Sequence, residues 1–227
     1  GLGVLAATLG SAGGLGNMTF SMPMVFLAGK KPSIRTHLAL RGALGPVPGH
    51  EIGRLARDVI LYTLVIETSG FLLLWLRFAQ DLDWLSAMGV AGFHAVSAFC
   101  NAGFSTFSDN LEKYPDDPTI NLVIMALIVL GGLGFVVLRE VRAWLVARLL
   151  RRRRPRVSLH TRTVLITTAA LIVVGALGLF LLEWLSNGGQ VWNGSFWPVL
   201  FAAVTPRTAG FDTIAPAQFS NGSLLDR

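Results

Sequence analysis

The chain alternates long apolar stretches with short, strongly polar ones, and the apolar stretches are continuous rather than periodic. Residues 119–138 (TINLVIMALIVLGGLGFVVL) carry no charge, and residues 163–183 carry their first acid, Glu183, only at the far end. Residues 59–76 contain a single carboxylate, Glu67, and residues 1–28 contain no charge. A helix needs about 20 apolar residues to cross a hydrocarbon core. The pattern predicts an all-α polytopic membrane protein with at least four spans.

Two segments depart from that pattern. Residues 88–99 (MGVAGFHAVSAF) are apolar, yet twelve helical residues reach only about 18 Å, which suits a re-entrant or interfacial helix. This segment gives way to Asn101-Ala102-Gly103, residues that favour irregular backbone. After the stretch 163–185 the same order returns: a polar SNGGQVWNGS, a short apolar segment 196–204, then Thr208-Ala209-Gly210-Phe211. Irregular backbone at membrane depth is tolerated only where it is buried in protein or lines an aqueous cavity. Ala-Gly-Phe therefore ends a short apolar segment twice, at 102–104 and at 209–211.

A wider repeat frames these segments. GGLG occurs at 13–16 and at 131–134, each time followed by basic residues. The unit is a span, a short pore-type helix, a glycine break and a span containing GGLG, and such internal repeats set the reading of the whole chain. The expected organisation is a second membrane helix of an incomplete first repeat at 1–28 and a basic loop at 29–57. A complete second repeat follows at 58–145, with its pore loop at 88–105, then a basic linker at 146–162. Residues 163–227 form the first helix and pore loop (195–212) of an incomplete third repeat. The sequence reads as a fragment.

Charge gives the orientation. Hydrophobic residues make up 52% of the chain and charged ones 14%, against about a quarter charged in soluble domains. Six of the 19 basic residues lie between Lys30 and Arg57 and nine between Arg139 and Arg162. Acids prefer the other loops: Asp81, Asp83, Asp109, Glu112, Asp116 and Asp117. The positive-inside rule places the basic loops in the cytoplasm. The Arg151–Arg154 run beside a span reads as a topology anchor and lipid-headgroup contact, so no nucleic acid is needed to explain the net charge of +6. Cys100 is the single cysteine, so no disulfide forms within this sequence.

A monovalent cation leaving water needs its hydration oxygens replaced. Backbone carbonyls do this without burying a permanent charge, and rings of them build selectivity filters. Glycine supplies the dihedrals that aim carbonyls at one axis, and a short helix before the break directs its negative C-terminal end there. Asn101 and Thr208 could brace the loops by hydrogen bonding or line the mouth. A plain loop after an interfacial helix explains one Ala-Gly-Phe; two at equivalent topological positions favour a pore.

FHAVSAFCNAGFS and VTPRTAGFDTI resemble the second and third pore loops of the Trk/Ktr/HKT superfamily of potassium transporters. GGLGNMTF, VIETSGFLL and GGLGFVVLREV leading to VSLHTRTVL support the resemblance, which covers essentially the whole chain. It implies a subunit of four membrane–pore–membrane repeats around one pore, each contributing a glycine filter loop, in the plasma (inner) membrane. It also implies bound K+ ions with no other cofactor, a homodimer, and a cytoplasmic nucleotide-binding regulatory subunit. By resemblance, Asn101, Ala102 and Gly103 form the second filter strand and Thr208, Ala209 and Gly210 the third. Cys100 precedes the second strand, and Phe104 and Phe211 pack behind the strands. Arg207 braces its loop through an acid or tunes ion access electrostatically. The first and fourth filter loops, the intramembrane gating loop after the third, and the pore-facing basic residue of the fourth repeat lie outside the sequence.

The expected function is potassium uptake, with or without sodium, without covalent chemistry. A carrier coupling potassium to sodium or protons is the alternative; broken helices suit that class too. Mid-span Glu67 is its candidate coupling site or else a structural hydrogen-bond acceptor. His94 reads as a packed, hydrogen-bonded imidazole, since no Cys or His lies at ligand spacing. Glu183 and Trp184 read as interfacial anchors. An enzyme would need a nucleophile or ligand cluster, which the sequence lacks.

Overall fold

The computed structural model describes residues 49–152, 155–186, 196–205 and 210–213, with backbone alone for residues 49–56, Glu183 and Ser186. The expectations for residues 1–28, for most of the 29–57 loop, and for Arg207, Thr208 and Ala209 lie outside the described residues. The chain divides into two compact units, residues 1–66 and 67–227, and the packing described below is that of the second.

All regular structure among the described residues is helical: α1 (Gly49–Phe78), α2 (Trp84–Phe99), α3 (Pro118–Leu133), α4 (Phe135–Leu149), α5 (Leu159–Ser186) and α6 (Trp197–Val204). Within α1 and α5, Arg57–Phe78 and Leu159–Leu182 are long and apolar enough to cross a membrane. Only 6% of the α5 span is buried within the protein, and Leu171, Val174, Leu177 and Leu181 are exposed. A helix apolar on all sides and uncovered by protein is matched to lipid. The protein is an all-α membrane protein.

The short helix α2 starts at Trp84, earlier than the apolar run suggests, because Asp83 caps it: its Oδ2 accepts from the Ser86 amide at 3.0 Å. Its sixteen residues still reach only about 24 Å, short of a full crossing. Likewise α5 begins at Leu159 rather than 163. The Ser158 Oγ accepts from the Thr161 amide at 3.2 Å, and the Ser158 amide donates to Glu140 Oε2 at 2.8 Å, tying the start of α5 to α4.

The stretch 119–138 is not one straight span. Gly134 adopts φ +78°, and the axes of α3 and α4 meet there at 108°. Helical backbone cannot continue through a positive φ, a conformation that glycine alone visits cheaply. The basic stretch from Arg139 is helical as far as Leu149. Helix α4 ends in a Schellman cap, with Arg151 at φ 51° and the Arg152 amide bonded to the Ala147 carbonyl at 2.8 Å.

At the opposite end of α3, Asp117 caps the helix by accepting from the Thr119 and Ile120 amides at 2.9 and 3.0 Å. The same carboxylate takes the Arg77 guanidinium, which also reaches Asp81 at 2.8 Å and lies 5.6 Å from the Tyr114 ring centroid. Fully buried Asn121 donates through Nδ2 to the carbonyls of Tyr114, Pro115 and Asp117. These contacts hold the 107–117 connection against the ends of α1 and α3.

Candidate functional site

The site is built where α2 stops. Its last turn closes as a Schellman motif: the Asn101 amide bonds to the Ala98 carbonyl at 3.1 Å and the Ala102 amide to the Ser97 carbonyl at 2.8 Å. Asn101 takes the left-handed position at φ 53°, one that asparagine tolerates better than most residues. Gly103 follows at φ 70°. The cap consumes the carbonyls of Ser97 and Ala98. No backbone amide among the described residues donates to those of Cys100, Ala102 or Gly103.

Two further contacts fix this strand. The Ser97 hydroxyl donates to the Phe104 carbonyl at 2.8 Å and accepts from the Phe104 amide at 2.9 Å. From the other side, α3 presses Gly131 against it: a Cβ there would stand 1.8 Å from the Phe99 carbonyl oxygen and 3.2 Å from Asn101 Nδ2. The GGLG glycine thus permits a close backbone approach at the end of α2.

Gly210 and Phe211, the described part of the second Ala-Gly-Phe, reach the same place. Gly210 has φ 70°, as Gly103 does, and a Cβ built on Gly210 would lie 3.7 Å from the Gly103 Cα. Two glycines far apart in sequence thus share one conformation and adjoin one another. Residues 107–114 connect them: the Leu111 amide donates to the Asp212 carbonyl at 3.0 Å, and Asn110 Nδ2 lies 3.5 Å from the Gly210 carbonyl. Helix α6 packs against α5 and α3, with Gly175 of α5 facing Ala203.

Beneath both loops lies an aromatic cluster of Phe78, His94, Phe107, Tyr114 and Phe211. Phe211 is fully buried, whereas Phe104 is 42% exposed. Its backbone is held to Ser97, and Phe107 occupies the space beside His94 and Phe78 instead, at 5.3 and 5.9 Å. Cys100 is half-buried and free. His94 is buried and hydrogen-bonded through both ring nitrogens, the packed role expected of it. Glu67 keeps Oε1 buried without a hydrogen-bond partner among the described residues. No group of three metal-ligating side chains occurs among the described residues. Sequence reasoning missed Ser97, Ser105, Asn110 and Asn121; the available signal was a polar side chain inside or beside an apolar run.

The profile of the TrkH family, described as cation transport protein, matches residues 2–224. The chain is 38% identical to the Ktr system potassium uptake protein B of Bacillus subtilis, over 94% of this chain and 47% of that protein. It is 34% identical to the protein of the same name from Vibrio alginolyticus, over 98% of this chain and 48% of the relative. With the potassium/sodium uptake protein NtpJ of Enterococcus hirae it shares 33% identity, over 97% and 48%. The chain spans about half the length of these curated relatives.

Proposed function

This chain belongs to the TrkH family of cation transport proteins, and on that premise we propose that it builds part of a potassium-uptake pore in the plasma membrane. Residues 101–103 and 208–210 are its second and third filter strands. An ion passing them exchanges part of its hydration shell for backbone carbonyls, and the α2 and α6 helix ends add their negative dipole. The observation that carries this reading is the pairing of Gly103 and Gly210 at the same φ of 70° and in direct proximity. Like the relatives named for potassium and for potassium/sodium uptake, the pore takes potassium, with or without sodium. The test is rubidium uptake by the full-length protein carrying Gly103→Ser or Gly210→Ser. Altered flux or selectivity is expected; wild-type behaviour in both variants overturns the assignment.

The basic segments at 29–57 and 139–162 are the docking surface for a cytoplasmic nucleotide-binding regulatory subunit, and the whole protein is a homodimer. Both follow from the family likeness and the charge pattern. Removal of Arg151–Arg154 with partner binding intact would sink the docking assignment.

Glu67 Oε1, unpartnered among the described residues, favours a second reading, a carrier in which this carboxyl couples a proton or sodium ion to potassium movement. Unitary currents that persist in Glu67→Gln support the channel. Fixed coupling stoichiometry that this variant abolishes supports the carrier.

A further inference from the structure

His94 sits where the two loops are joined, and its chemistry exceeds what packing requires. The ring is fully buried among Phe78, Phe107 and Phe211, a site that a phenylalanine would fill. A polar group is costly there unless its hydrogen-bonding capacity is met, and both nitrogens are engaged. A carbonyl only accepts, so Nδ1 carries the proton and donates to the Val90 carbonyl at 2.8 Å. In the neutral ring Nε2 is then the acceptor, and the Ser105 hydroxyl, 3.0 Å away, donates to it.

From that point two routes lead to the opposite loop. Ser105 Oγ accepts from the Phe107 amide at 3.1 Å and lies 3.3 Å from the Asn110 carbonyl. Asn110, held at φ 53°, sets its Nδ2 3.5 Å from the Gly210 carbonyl, and the next amide, Leu111, bonds to Asp212. The second route is the ring face, stacked on Phe211 at 6.0 Å and 25°. On its own helix, His94 lies one turn before Ser97, which holds both backbone polar atoms of Phe104. One imidazole therefore touches the support of the Gly103 loop and that of the Gly210 loop.

We propose that His94, acting through Ser105, is a positioning residue for ion selection that fixes the spacing between the Gly103 and Gly210 strands. The proposal rests on the filter reading above. Its mechanism is geometric: how strongly carbonyls prefer one cation over another depends on their number and placement, so a strand free to shift relaxes discrimination before it abolishes passage.

The experiment measures rubidium uptake, its competition by sodium, and membrane protein level for full-length variants. His94→Phe keeps the ring and removes both hydrogen bonds; the rubidium-to-sodium preference should fall roughly fivefold, the scale of one lost hydrogen bond. Ser105→Ala should shift it the same way by about twofold, and the double variant should do no more than His94→Phe alone. His94→Gln, which offers a donor and an acceptor, should recover part of the preference. Wild-type selectivity in Ser105→Ala and His94→Phe, with uptake reduced only in proportion to protein level, overturns the proposal. If His94→Phe fails to accumulate, Ser105→Ala decides alone. Gly103→Ser is measured in parallel: an altered preference there with none in Ser105→Ala removes this proposal and leaves the filter reading standing. No change in any variant removes both.

Discussion

The loops at Gly103 and Gly210 share a glycine conformation but not their means of support. The first is held by the helices on either side of it: a Schellman cap from α2, the Ser97 hydroxyl on Phe104, and the Gly131 face of α3. The second, in its described part, is held by residues distant in sequence, Asn110, Leu111 and the ring of His94. Glycine thus sets where each backbone turns, while the surroundings of each loop set what keeps it turned. Damage to the 94–111 segment should accordingly reach both loops.

The sharpest way to break this contrast is Gly131→Ala. The added carbon has no room against the Phe99 carbonyl, and displacing backbone rather than a side-chain tip should cost about 3 kcal/mol or more. Purified protein should show a large drop in thermal midpoint and little remaining uptake; a midpoint near wild type would mean that α3 does not press on the loop. Next is Ser97→Ala, which strips the Phe104 amide and carbonyl of their shared partner. A loss of about 1–3 kcal/mol is expected, read as a lower denaturation midpoint together with altered rubidium uptake. Asn110→Ala probes the opposite loop through a contact at the outer limit of hydrogen-bond length and should cost under about 1 kcal/mol. A larger effect than that of Ser97→Ala would invert the ranking of the two supports.

The smallest effect lies furthest from the loops. The Ser86 amide holds the Asp83 carboxyl below the ordinary carboxylate range. A depressed folded-state value means that this cap contributes fully at neutral pH and is lost as pH falls through the folded value. Asp83→Ala should lower the thermal midpoint slightly at pH 7 and flatten its decline in acid; an unchanged acid profile would show that the cap does not contribute.

The runs 59–76 and 163–183 were legible as crossing helices from their length alone, and the run 88–99 as a helix too short to cross. Helix starts were misplaced at Asp83 and Ser158, where capping side chains extend the helices beyond the apolar core. The corner at Gly134 stayed hidden because the residues on both sides are equally apolar, and composition is blind to a dihedral angle; the GGLG motif was visible, but its role was not. Phe104 and Phe211 look equivalent in sequence, yet one is exposed and the other buried. Their difference lies in Ser97 and Phe107, whose effects depend on packing between elements. Ser105 and Asn110 escaped notice for the same reason, since their partners lie on other elements.

The bend at Gly134 has a mechanical corollary. Gly131 stands three residues from that corner, about 4.5 Å along the axis, and bears directly on the Phe99 carbonyl at the end of α2. The arginine-bearing arm beyond the corner is a crank with a very short throw. Less than one turn of helix separates that arm from the Gly131 contact with the Phe99–Asn101 backbone.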